Sequence, residues 1–164
     1  MSDTLKSLIN KIKVRLGAED PAAFDDMAAL AEQYPDEPDV WRALAYAYEV
    51  RDDYTAAIAA ITREMDLRPE RPALYFTRGG YLLMTADYEG AVADFTKGLV
   101  LGDQMEHEPY REVLHFLRAE AFFQLGRKAE ARSDLEHVKD DCVFWTIQVR
   151  SKAELLALCA ESAR

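Results

Sequence analysis

The sequence predicts an all-α solenoid, a stack of antiparallel helix pairs repeated along the chain. Composition is the first reason. Of 164 residues, 49% are hydrophobic, while glycine and proline number only 7 and 6, which favours packed helix over disorder or sheet. Internal repetition is the second. At an offset of 34 residues, Pro35 falls on Pro69, Pro38 on Pro72, Trp41 on Tyr75 and Ala45 on Gly79. Asp53-Tyr54 then falls on Asp87-Tyr88, Ala57 on Ala91, Ile61 on Phe95 and Leu67 on Leu101. A third copy follows 40 residues later, with Arg78-Gly79 becoming Arg118-Ala119, Leu82 Phe122, Ala91 Ala131 and Phe95 Leu135. The extra residues fall between Asp103 and Pro109. Repeats of this length signal stacked supersecondary units, because one helix pair cannot bury its apolar face alone.

The elements follow in order. Over residues 3–16, Leu5, Leu8, Ile9, Ile12 and Leu16 recur at helical spacing among Lys6, Lys11, Lys13 and Arg15. This basic amphipathic helix reads as a cap laid on its neighbour, the alternative being a membrane surface or a partner groove. Between Leu16 and Trp41 stand eight acidic residues and no Lys or Arg, so attraction between the two segments is expected. A second helix runs between Pro21 and Pro35, with Ala22, Ala23, Met27, Leu30 and Ala31 as its face. Residues 1–37 thus form a degenerate repeat, followed by repeats over 38–71, 72–105 and 106–141, all in one domain. Within each repeat, Ala45, Gly79 and Ala119 should sit where the first helix approaches the second, and Ala57, Ala91 and Ala131 where the second approaches the first. Tyr48, Ile61, Leu82, Phe95, Phe122 and Leu135 fill the space between neighbouring pairs.

The segment 142–149, Cys-Val-Phe-Trp-Thr-Ile-Gln-Val, is β-branched and aromatic and reads as extended chain. A solenoid offers it no sheet, so it either extends the last helix backwards or plugs the open end of the stack. Ser151-Lys152-Ala153-Glu154 is a capping box ahead of Leu155, Leu156 and Leu158, predicting a final helix over about 152–162.

The repeats resemble the tetratricopeptide family. Its pattern is an aromatic, Leu-Gly, Tyr, then Ala with an aromatic four later, then Pro. Here it reads Trp41, Leu44-Ala45, Tyr48, Ala57, Ile61, Pro69; then Tyr75, Gly79, Leu82, Ala91, Phe95; then His115, Ala119, Phe122, Ala131, Leu135. Departures are Ala45 for glycine, Ile61 for the aromatic, no proline closing the second and third copies, and His115 for the opening aromatic. The resemblance implies a right-handed solenoid whose first helices line a concave face that binds a peptide or a helix. The positions implied to line it are Arg42, Tyr46, Glu49 and Val50; Ala73, Phe76, Gly80, Leu83 and Met84; and Val113, Phe116, Glu120, Phe123 and Gln124. Aromatic and Met side chains in a charged rim are typical of interfaces, the alternative being that the 142–149 segment or the N-terminal helix covers some of them. Family members that grip acidic chaperone tails use Lys, Asn and Arg. Only Arg42 fits that set, while Tyr46, Thr77, Val113 and Leu117 do not.

The net charge of −10 argues against a nucleic-acid ligand, because phosphates need a basic face, and fits a partner with a basic or amphipathic segment. The chain contains no HExxH, no Gly-rich phosphate loop, no GxSxG and no clustered Cys/His spacing. His107 with Glu106, Glu108 and Glu112 reads as a solvated acidic loop. The aspartate pairs Asp25-Asp26, Asp52-Asp53 and Asp140-Asp141 read as caps and turns. Cys142 and Cys159 form no CxxC pair and suit a reducing compartment. With no secretory signal or membrane span in the sequence, the expectation is a cytoplasmic, non-enzymatic module without cofactor or metal. Its readings are an immunity-type inhibitor of a basic toxin, a secretion-type chaperone holding a hydrophobic translocator segment, or a self-assembling scaffold that includes a homodimer.

Overall fold

The computed structural model describes residues 2–104, 109–145 and 147–160. Two compact units emerge, residues 1–69 and 70–164. The first contains α1 (Asp3–Gly17), α2 (Pro21–Gln33), α3 (Pro38–Glu49) and α4 (Tyr54–Leu67). The second contains α5 (Pro72–Met84), α6 (Tyr88–Gly102), α7 (Arg111–Gln124), α8 (Lys128–Leu135), β1 (Val143–Trp145), β2 (Val149–Ser151) and α9 (Lys152–Ala160).

The turns inside the helix pairs share one local device. Glu19, Asp52, Ala86 and Gly126 adopt positive φ of 58°, 56°, 61° and 74°. The next residue opens the following helix. Asp20, Asp53 and Asp87 do so with carboxylates that accept the backbone N–H of Ala22, Ala56 and Gly90, each at 3.0 Å, filling donors that the first turn leaves unpaired. Arg127 stands at the fourth such position and makes no side-chain cap. Pro21, Pro38 and Pro72 each sit in the first turn of a helix, where the missing N–H costs nothing.

The first unit buries Leu5, Ile9, Ile12 and Leu16 of α1 against the helices that follow. Leu8, expected in the same stripe, is 42% exposed. The predicted attraction between the basic helix and the acidic segment rests on Arg15, which pairs with Asp20 at 2.7 Å and Asp26 at 2.6 Å. Ala23, Ala45 and Ala57 are almost fully buried, as close helix approach requires.

In the second unit the contact of α5 with α6 is tightest at Gly79. A Cβ there would lie 2.4 Å from the ring of Phe95, itself fully buried. Ala119 and Ala131 are likewise fully buried between α7 and α8, beside Phe122 and Leu135. His115, the departure from the aromatic pattern, is buried and bonds Asp134 through Nδ1 at 2.9 Å.

The run after α8 is extended, as its β-branched composition indicates, and it does find a sheet: its own. β1 and β2 pair antiparallel with Val143 opposite Ser151, Phe144 opposite Arg150 and Trp145 opposite Val149. The capping box closes α9, with the Ser151 N–H donating to Glu154 at 2.7 Å and the Glu154 N–H donating to the Ser151 hydroxyl at 3.2 Å. The expected extension of this helix beyond Ala160, and residues 106–108 of the acidic loop, lie outside the described residues.

Candidate functional site

Each unit presents its own stretch of the expected groove. In the first, Arg42 stays exposed while its Nε donates to both carboxylate oxygens of Glu64 at 3.0 and 3.1 Å, and Glu64 is fully buried. Asp39 approaches the same guanidinium at 3.3 Å. Tyr46 is half-buried, with the Lys13 ammonium 5.0 Å from its ring centre. Glu49 is exposed. Beside them, α1 and α3 enclose a shallow cleft of about 240 Å³ lined by Lys6, Ile9, Asn10, Lys13, Asp39, Arg42 and Ala43. This face mixes apolar and charged side chains, and Arg42 and Asp39 are paired within the unit.

The second unit carries the apolar stretch. Phe76 is half-buried and stacks on Tyr110, ring centres 5.2 Å apart. Ala73 and Val113 are half-buried, and Met84 is 38% exposed. Leu83 is only 3% exposed and belongs to the core with Ala91, Phe95 and Leu99. Its placement follows from helix geometry: it stands four residues after Gly79 and so shares the side of α5 that meets α6.

On α7 the expected groove positions are covered. Phe116 has no exposed surface and lies 4.9 Å from Phe144 of β1, ring centre to centre. Glu120 is also fully buried, 3.5 Å from the Arg150 guanidinium of β2. Phe123 is half-buried, with Arg150 5.5 Å from its ring centre. The hairpin register explains this arrangement: Phe144 and Arg150 are cross-strand partners, so both side chains leave the same face. Gln124 donates to the other Glu120 oxygen at 2.8 Å.

Two ion pairs that sequence reasoning missed hold the helix pairs of this unit closed. Arg78 on α5 makes a two-pronged contact with Asp94 on α6, both bonds at 2.7 Å. Arg118 on α7 repeats it with Asp134 on α8, again at 2.7 Å twice. Both acids are nearly buried. Burial pushes the Asp134 carboxyl up, but hydrogen bonds from Arg118 and His115 outweigh it and hold the group below the usual aspartate range. The signal was present, since Asp94 and Asp134 recur at the same 40-residue offset as Arg78 and Arg118.

The Cys142 thiol donates to the Glu112 carboxylate at 3.0 Å, a contact that pushes the thiol above its ordinary range. Among the described residues no group of three His, Cys, Asp or Glu side chains is placed to hold a metal ion, and no helix is long and apolar enough to cross a membrane.

No family model matches the sequence, and no curated protein matches it. Solved structures do match. MamA from Desulfovibrio magneticus RS-1 superposes with a TM-score of 0.70 at 17% identity, over 84% of this chain and 75% of that one. The type III secretion chaperone SycD of Yersinia enterocolitica, solved in complex with a peptide of the translocator YopD, superposes with a TM-score of 0.58 at 18% identity, over 83% and 92%. The tetratricopeptide domain of P58(IPK) gives 0.52 at 20%, over 84% of this chain and 52% of that one. The fold is an all-α solenoid of the tetratricopeptide type. The tetratricopeptide register places Gly79, Ala119 and their partners where the close helix contacts occur.

Proposed function

We propose that this tetratricopeptide-type chain is a non-enzymatic module that binds a partner polypeptide on its first-helix faces. The observation that carries the reading is the half-exposed apolar set of Phe76, Val113 and Met84 on a chain of net charge −10. Apolar anchors on an acidic surface suit a partner with a basic or amphipathic segment. Of the finer readings, a chaperone that holds a segment of another protein draws support from the likeness to SycD, whose structure was solved with a peptide of the translocator YopD. The acidity supports the second reading, an inhibitor covering a basic protein.

The test is affinity capture from the source organism's lysate with wild type and with a Phe76→Ser/Met84→Glu chain, at low and moderate salt. One stoichiometric partner, lost from the variant while its helicity persists, is the expected result. Retention of that partner by the variant would contradict the proposed face. Resistance to salt favours the chaperone reading; elution of a basic partner by salt favours the inhibitor.

A further inference from the structure

The β1–β2 hairpin lies on α7 through a small set of contacts of defined chemistry. Phe144 meets Phe116, and the Arg150 guanidinium faces both the Glu120 carboxylate and the Phe123 ring. Glu120 is a charged residue with no exposed surface. An ionised carboxylate buried without a cation carries a desolvation cost on the order of several kcal/mol. The cation it receives fits poorly. The closest approach is 3.5 Å, and Glu120 Oε2 and Arg150 Nε and Nη1 are buried without a hydrogen-bond partner among the described residues. By contrast, Arg78–Asp94 and Arg118–Asp134, in the same unit, are two-pronged at 2.7 Å. The hairpin is also short, three residue pairs, and a two-stranded ribbon of that size has little stability of its own. Val143 at the start of β1 is 57% exposed, and Ile147 between the strands 38% exposed.

We infer that the α7 face from Phe116 to Phe123 is a docking site for an extended polypeptide segment carrying an aromatic side chain and an arginine, and that the β1–β2 hairpin is its occupant in cis, displaced when such a segment binds. The inference rests on the reading of the chain as a polypeptide-binding module and names the chemistry of its ligand. A partner arginine able to donate to Glu120 Oε2 satisfies the one carboxylate oxygen that Arg150 leaves unpaired, which favours exchange. The hairpin then acts as an internal competitor, lowering apparent affinity by the fraction of time it stays in place.

The test uses a labelled synthetic peptide with the sequence of residues 143–150 and the full-length chain. The Phe144→Ala/Arg150→Ala chain, whose own hairpin is weakened, is expected to bind the peptide about tenfold more tightly than wild type. Adding Glu120→Gln to that chain, or replacing the peptide's arginine by glutamine, is expected to reduce binding by a similar factor. Absence of binding by the weakened chain, or indifference to Glu120→Gln, overturns the inference. Amide exchange of the wild-type chain decides the matter if a variant fails to fold. Hairpin amides exchanging at least about a hundredfold faster than those of α7 support displacement, and equal protection makes the hairpin a fixed part of the core and overturns it. Loss of the lysate partner from the Phe76→Ser/Met84→Glu chain together with no peptide binding would leave the module reading standing and remove only this site.

Discussion

The pair α5–α6 and the pair α7–α8 are built on one plan, yet they present different surfaces. Both are held by a small residue under a large one, Gly79 under Phe95 and Ala119 near Leu135. Both are locked by a two-pronged Arg–Asp pair. On α5 the equivalent outer positions, Phe76 and Met84, keep solvent access. On α7 a hairpin and α9 cover them, and Phe116 joins a core with Leu155 and Cys159. The helix-to-helix contacts are therefore dictated by the repeat. The outer face is dictated by whatever chain follows the last repeat.

That contrast can be broken most severely at the shared contact. Gly79→Leu forces side-chain volume into the Phe95 ring and is expected to destabilise by about 3 kcal/mol or more, read as loss of the cooperative thermal transition. The gentler Gly79→Ala should also destabilise, and adding Phe95→Leu should restore part of the loss, because the double variant copies the Ala119 and Leu135 combination of the next pair. A double-mutant cycle with no coupling would separate the two contacts.

Next in size is the lock. Asp134→Asn leaves Arg118 with a neutral partner and is expected to cost about 3 kcal/mol, measured by denaturant unfolding. The pH dependence has a definite sign. Because the folded Asp134 carboxyl lies below its ordinary range, its contribution is complete above about pH 4, the unfolded value, and is lost as pH falls through the folded value. Asp134→Asn should flatten that part of the acid slope. Smaller still is the helix cap. Asp87→Ala removes the bond to the Gly90 N–H and should cost about 1 kcal/mol, whereas no such capping bond exists to be lost at Arg127 of α8. The smallest effect is a gain: Gly80 has open space where a Cβ would go, so Gly80→Ala in mid-helix should stabilise by up to about 1 kcal/mol.

Most of the fold was legible because a 34-residue offset aligns the residues that must be small with the residues that must be large. Gly79 and Phe95 are local enough in sequence for their contact to follow from the repeat alone. Helix starts were legible for the same reason, as Pro21, Asp53 and Ser151 act on their own turns. Leu83 was read as a groove position because the family spacing places it there, while the side of α5 marked by Gly79 places it in the core. Phe116 and Glu120 were read as groove positions that the 142–149 segment or the N-terminal helix could cover; the residues that do cover them lie 28 and 30 positions later, in a segment outside the repeat. The run 142–149 announced extended chain, but its self-pairing and its docking on α7 are tertiary facts with no period to reveal them. Arg150, which matches no repeat position, gave no signal that it would neutralise Glu120.

The central claim is that the first-helix face of the second unit receives a polypeptide. The most direct measurement places a photo-crosslinking amino acid at position 84 on α5 and, in a separate chain, at the half-exposed position 100 on α6, then irradiates cells of the source organism. The account predicts one dominant protein adduct from position 84 and none from position 100. Equal adducts from both positions, or an adduct from position 100 alone, would contradict it.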